Sequence, residues 1–150
     1  MKALLQRVDR ASVSVDGRVT GSIQKGLVAL IGVADNDTEK DIDYITDKVI
    51  NLRIFPDEEG KFNLSLSDLG YGILLVSQFT LLADTRKGRR PSFIQAAPPE
   101  KARDLFDKMV DIIKGKGVEV QTGEFQQHMI VEIINNGPVT IMLDSKEKIS

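Results

Sequence analysis

Apolar runs with no helical period constrain this chain most. "LVALIGV" (Leu27 to Val33) reads as a buried strand. "YGILLVSQFTLL" (Tyr71 to Leu82) reads as a central strand, covered on both faces until the first polar residue, Ser77. A sheet with such strands needs layers on either side of it. The opening segment supplies further β structure: Val13 and Val15 alternate with Ser12 and Ser14, and Asp16–Gly17 is a hairpin turn signal.

Two segments change period. In "NDTEKDIDYITDKVINLRIF", Ile42, Ile45, Val49 and Leu52 fall at helical spacing, with Thr38 as N-cap three residues before Asp41. The second helix begins at Pro98 and Pro99, carries an apolar face of Ala102, Leu105, Phe106, Met109 and Ile113, and ends at Gly115 to Gly117. Between them "FPDEEGKFN" is a turn, and "ADTRKGRRPSFIQAAPPE" is a long aperiodic connection of the kind that carries function. The tail reads as three strands, with "NNGP" as the connection before the last. The expectation is one α+β domain over residues 1–150: a mostly antiparallel, barrel-like sheet with two flanking helices.

Composition narrows the chemistry. The chain has no Cys and a single histidine, His128, so it has no thiol nucleophile and almost no base that works at neutral pH. A net charge of -2 gives no global pull toward nucleic acid, so binding would need a local basic patch. No apolar run approaches the roughly 20 residues that span a bilayer, and charges in "MKALLQRVDR" break up any leader-like core, so a cytoplasmic location is expected.

Three stretches could carry function. Ser77 and Thr80 need a base before they act as nucleophiles, and nothing in the sequence brings His128 to them; it stands beside Met129 on an apparent strand, as a surface or half-buried histidine would. What the strand end offers readily is backbone N–H groups, suited to an oxyanion hole; the bland alternative is polar residues meeting water. In "NNGPVT", Gly137–Pro138 is either a plain turn or a rigid, bare peptide edge whose carbonyls could bind an ammonium group. In "TRKGRRP", Arg86, Lys87, Arg89 and Arg90 share one flexible loop, either as solvated charge or as phosphate contacts.

"SQFTL" (Ser77 to Leu81), "GRRPSF" (Gly88 to Phe93) and "NNGPVT" (Asn135 to Thr140), in that order and spacing, resemble the D-aminoacyl-tRNA deacylases, and the two ends of the chain are similar as well. The resemblance implies that family's fold and a homodimeric enzyme without metal or cofactor. Its partner would be tRNA, from which it would remove D-amino acids, and glycine mischarged on tRNA(Ala), with no membrane involved. It implies that Ser77, Gln78, Phe79 and Thr80 hold the aminoacyl ester, with backbone N–H groups toward its carbonyl. It implies that Gly137–Pro138, as a Gly-cis-Pro dipeptide, reaches into the partner's pocket, grips the α-ammonium and excludes L side chains. Met129 would line the pocket, and Arg86, Lys87, Arg89 and Arg90 would contact tRNA. Hydrolysis would be assisted by the tRNA's terminal 2′-hydroxyl. Two positions depart from the family pattern: Asn136, usually acidic, and Gln126 to His128, usually small. The competing expectations are Thr80 as a covalent nucleophile, a non-catalytic RNA- or DNA-binding module of this fold, and an editing domain that works only when docked on a synthetase.

Overall fold

A computed structural model describes residues 1–147. Its elements run β1 (Lys2–Val15), β2 (Arg18–Ile23), β3 (Gly26–Gly32), α1 (Glu39–Asn51), β4 (Phe55–Pro56), β5 (Phe62–Leu64), α2 (Leu66–Leu69), β6 (Gly72–Ser77), α3 (Pro99–Gly115), β7 (Val120–Thr122) and β8 (Ile130–Asp144). Asp16 and Gly17 both have positive φ, 50° and 78°, so the β1–β2 turn has the twist that a two-residue hairpin requires.

Strand β1 organises the sheet. Along one edge it pairs antiparallel with β3 and then β2; along the other it pairs with β8. Beyond β3 the sheet continues in parallel through β6 to β7. A Cβ at Gly21 of β2 would collide with the Thr122 carbonyl of β7. That glycine lets the two ends approach and curls the sheet into a nearly closed barrel.

Both faces of the sheet are covered. Leu27, Ala29, Ile31, Ile73 and Leu75 face α1 and α3, where Ile42, Ile45, Val49, Met109 and Ile113 complete a core with essentially no exposure. The intervening residues Val28, Leu74 and Val76 face a second cluster with Val8, Ala11, Val13 and Ile23. Each such side chain contributes about 1.5–3 kcal/mol by leaving water. The Thr38–Asp41 capping box forms as expected, and every apolar residue assigned to the second helix's inner face is buried.

Three local readings differ. A third, single-turn helix, α2, is present; one turn has too few residues to show a period, although its Ser65–Asp68 capping box was there to be read. The central strand stops at Ser77, and Phe79–Leu82 form one 3₁₀ turn. The cause is the neighbour: β3 ends at Gly32, whose missing side chain leaves room for Leu81 and Leu82 to fold over it. Finally, the last two expected strands are one, β8. Thr140 pairs with Gln6 and Asn135 with Val8, so residues 136–139 bulge outward opposite Arg7 rather than turning the chain back.

Near α1 a buried polar network ties distant segments together. The Met1 ammonium donates to Asp37 Oδ1 (2.7 Å) and Ser145 Oγ (2.8 Å), and Ser145 Oγ donates to Asp41 Oδ1 (2.6 Å). Burial pushes the Asp41 carboxyl up, but the Ser145 hydroxyl, the Thr38 N–H and the Lys146 ammonium outweigh it and hold it well below the usual carboxylate range. A carboxyl depressed by folding stabilises the protein above its unfolded pKa of about 4, and that stability is lost as pH falls below it. Urea unfolding from pH 7 to pH 2 should therefore show a decline below about pH 4 that is smaller in Asp41→Asn, with that variant less stable at pH 7 by about 1–3 kcal/mol.

Candidate active site

The end of β6 opens onto a cavity of about 750 Å³, ample for an aminoacyl group with its terminal sugar. Ser77, Gln78 and Phe79 form one wall. Phe93 comes from the long connection and stacks edge-on against Phe79, with ring centroids 5.0 Å apart; Pro99 at the start of α3 adds a third side. The segment 125–129 closes the fourth, bringing Met129 to the cavity as expected. His128 is there too, on the loop before β8 rather than on a strand, and it is exposed. Among the described residues it is the only titratable side chain lining the cavity.

The Thr80 hydroxyl, the nucleophile of the competing expectation, stands apart from the cavity lining. Thr80 is exposed, is absent from the cavity lining, and accepts a hydrogen bond from the Gln78 side-chain amide. The backbone is more informative. The Gln78 N–H is occupied by the Ile31 carbonyl (2.7 Å), and the 3₁₀ turn makes its first bond from Leu81 N–H to Gln78 C=O. The N–H groups of Phe79 and Thr80 precede that bond and have no partner among the described residues. They are the donors this strand end can offer to a developing oxyanion.

Gly137 and Pro138 are not in this subunit's cavity. They cap the 136–139 excursion, fully exposed, with a cis peptide bond between them and Gly137 at φ 142°. The excursion is pinned from within. Arg7 shares the inward register of Ala3 and Leu5; its Nε donates to the Asn136 carbonyl (3.1 Å), Nη2 to Asn136 Oδ1 (3.0 Å) and Nη1 to the Ile54 carbonyl (2.8 Å). The Asn136 amide donates to Asp9 (2.7 Å), a bond that a carboxylate at this position could not make. Asn135 braces the other side, accepting from Val139 N–H (2.9 Å).

The four cations of the long connection are not equivalent. Arg86 makes a two-pronged ion pair with Asp84 (2.9 and 2.7 Å), which holds that carboxyl down at about 2. Lys87, Arg89 and Arg90 are exposed and have no ion-pair partner among the described residues. They lead directly to Phe93 at the cavity wall.

A nearly closed mixed barrel carries a cavity at the end of a central strand, next to backbone donors that have no partner among the described residues. The chain belongs to the D-Tyr-tRNA(Tyr) deacylase family, whose model matches residues 4–144. It is 56% identical, over its whole length and 98% of the relative's, to a D-aminoacyl-tRNA deacylase of Dehalococcoides mccartyi. It is 55% identical to one of Kosmotoga olearia, over 99% of both chains. Among solved structures it is similar to a c-Myc DNA unwinding element binding protein, with a TM-score of 0.90 and 40% identity over 96% of this chain and 98% of that one. A probable eukaryotic D-amino acid tRNA deacylase shares the fold, with a TM-score of 0.81 at 20% identity over 95% of this chain and 97% of that one.

Reading residues one by one missed Arg7, Phe93 and Phe125. Arg7 had a signal, a charge on the buried register of a strand. Gln126 to His128 were noted as a departure from the family pattern, and the turn at Gln126 places them at the cavity. Arg7→Met should leave three carbonyl acceptors without a donor and cost about 2 kcal/mol. Hydrogen exchange at Gly137 and Val139 should accelerate more than the global loss explains.

Proposed function

We propose that the protein hydrolyses the ester of D-aminoacyl-tRNA, releasing D-amino acid and tRNA. The observation that carries this reading is the unpartnered N–H of Phe79, a residue of the cavity wall, with that of Thr80 next to it in the chain, in a chain over half identical to proteins named for that reaction. Water adds to the ester carbonyl, the N–H pair takes the negative charge of the tetrahedral oxygen, and the bond to the tRNA 3′-oxygen breaks as that oxygen gains a proton. The vicinal 2′-hydroxyl orients and activates the water, a role that proximity alone makes effective.

Chiral selection falls to a second copy. Gly137–Pro138 projects away from the cavity of its own subunit, on the strand β8 that pairs only with β1 and exposes Ile130 and Met142. A homodimer through this side would carry the dipeptide to the partner's cavity, where its carbonyls hold the α-ammonium and its backbone leaves no space for an L side chain. Glycine, lacking a side chain, would pass the same filter. Lys87, Arg89 and Arg90 would meet tRNA phosphates, with Arg86 already engaged by Asp84. Work on charged tRNA fits a cytoplasmic protein.

Purified protein should release D-tyrosine from D-tyrosyl-tRNA and leave L-tyrosyl-tRNA intact; equal rates or no release overturn the proposal. Thr80→Ala should keep activity within about tenfold, whereas loss of a true covalent nucleophile costs on the order of 10⁶. Substrate ending in 2′-deoxyadenosine should react at least about a thousandfold more slowly.

Gly137→Ala puts a methyl 2.7 Å from Val139 and on a backbone angle that L residues rarely adopt. It should distort the excursion and lower the D-over-L rate ratio by at least tenfold, about 1.4 kcal/mol. A second reading, nucleic-acid binding without catalysis, is favoured by the structural relative named for DNA binding. It requires tight binding of tRNA with no ester cleavage in the same assay.

A further inference from the structure

Accepting the proposed reaction, we infer that His128 is a positioning residue for the acidic 3′ end of the tRNA. Through it, substrate affinity would rise as the pH falls.

The segment that carries it is a built wall. Gly123 lies against Met129 and Val13, and a side chain there would collide with the Met129 sulfur. Glu124 is ion-paired with Arg18 of β2 (3.1 Å), and Arg103 of α3 lies over the Phe125 ring at 5.4 Å. Between these anchors and Met129, Gln126 adopts a left-handed backbone at φ 63°, which a non-glycine residue holds at a cost of about 1–2 kcal/mol. Strained backbone of this kind clusters where it serves a site. Its effect here is to turn Gln126, Gln127 and His128 toward the cavity together.

The surroundings leave the imidazole free to answer a phosphate. Charged groups on the neighbouring elements are largely engaged: Glu124 with Arg18, Glu132 of β8 with Arg10 of β1 (3.7 Å), and Arg103 on Phe125. The other carboxylates on elements that wall the cavity, Glu100, Asp104, Asp107 and Asp111 of α3 and Asp144 of β8, do not line it. An aminoacylated 3′ end entering this mouth brings phosphates on its terminal nucleotides. A protonated His128 at the rim gives them a cationic hydrogen-bond donor; a neutral one gives a weaker contact.

The test compares wild type, His128→Gln and His128→Lys from pH 5.5 to 8.5. It measures kcat and KM on D-tyrosyl-tRNA, and binding of uncharged tRNA by anisotropy. Titration of the substrate's own ammonium is common to all three and cancels. Wild-type KM and tRNA Kd should rise roughly three- to fivefold across this range, the size of an exposed ion pair. His128→Gln should be weak at every pH and His128→Lys tight at every pH, with matching kcat profiles.

A wild-type pH dependence of binding that survives in His128→Gln overturns the inference. So does a pH dependence lodged in kcat and abolished in both variants, since that marks a proton carrier. Failure to cleave D-tyrosyl-tRNA at all overturns the proposed reaction instead, while the anisotropy arm still decides the phosphate contact.

Discussion

Strand β1 is bonded along both edges, and the rest of the structure hangs from that double pairing. One edge carries β3 and β2, the other carries β8, so a single 14-residue strand fixes the register of three others. Its inward residues Ala3 and Leu5 enter the helix-covered core. The next inward position is Arg7, where the apolar series gives way to a guanidinium with three carbonyl acceptors. The charge can stand there because Nε, Nη1 and Nη2 each donate to a carbonyl oxygen and the Phe62 ring covers it at 5.4 Å. Core and functional excursion thus meet on one strand.

The site has a corresponding economy. Its cavity has aromatic and amide walls, a strand end whose backbone donors are left over by the termination of β3, and one imidazole at the rim. Nothing in that inventory resembles a charge relay. The two-sided burial of β6 immediately before Ser77 holds those donors in place.

Much of this was legible beforehand. Continuous apolar runs gave the two-faced strands, Thr38 and Asp41 the start of the first long helix, and Pro98–Pro99 the start of the second. The resemblance through "SQFTL", "GRRPSF" and "NNGPVT" pointed to the family. What stayed hidden depended on neighbours rather than on local pattern. The central strand ends where it does because Gly32 belongs to a different strand, and "NNGP" is an outward bulge because β1 continues opposite it. His128 reaches the cavity through a backbone angle at Gln126 that no glycine or asparagine advertises. Arg86 differs from Lys87, Arg89 and Arg90 through an aspartate two residues earlier, a pairing that composition alone treats as one more basic residue.

The bulge at 136–139 is taken up as a register shift between two paired stretches, from Asn135 with Val8 to Thr140 with Gln6, and pairing resumes on both sides of it. It behaves as a detachable tooth on a fixed gear. Its tip can change length or shape by natural drift or by engineering while the paired stretches beneath keep their alignment, so the tip and the barrel can evolve independently.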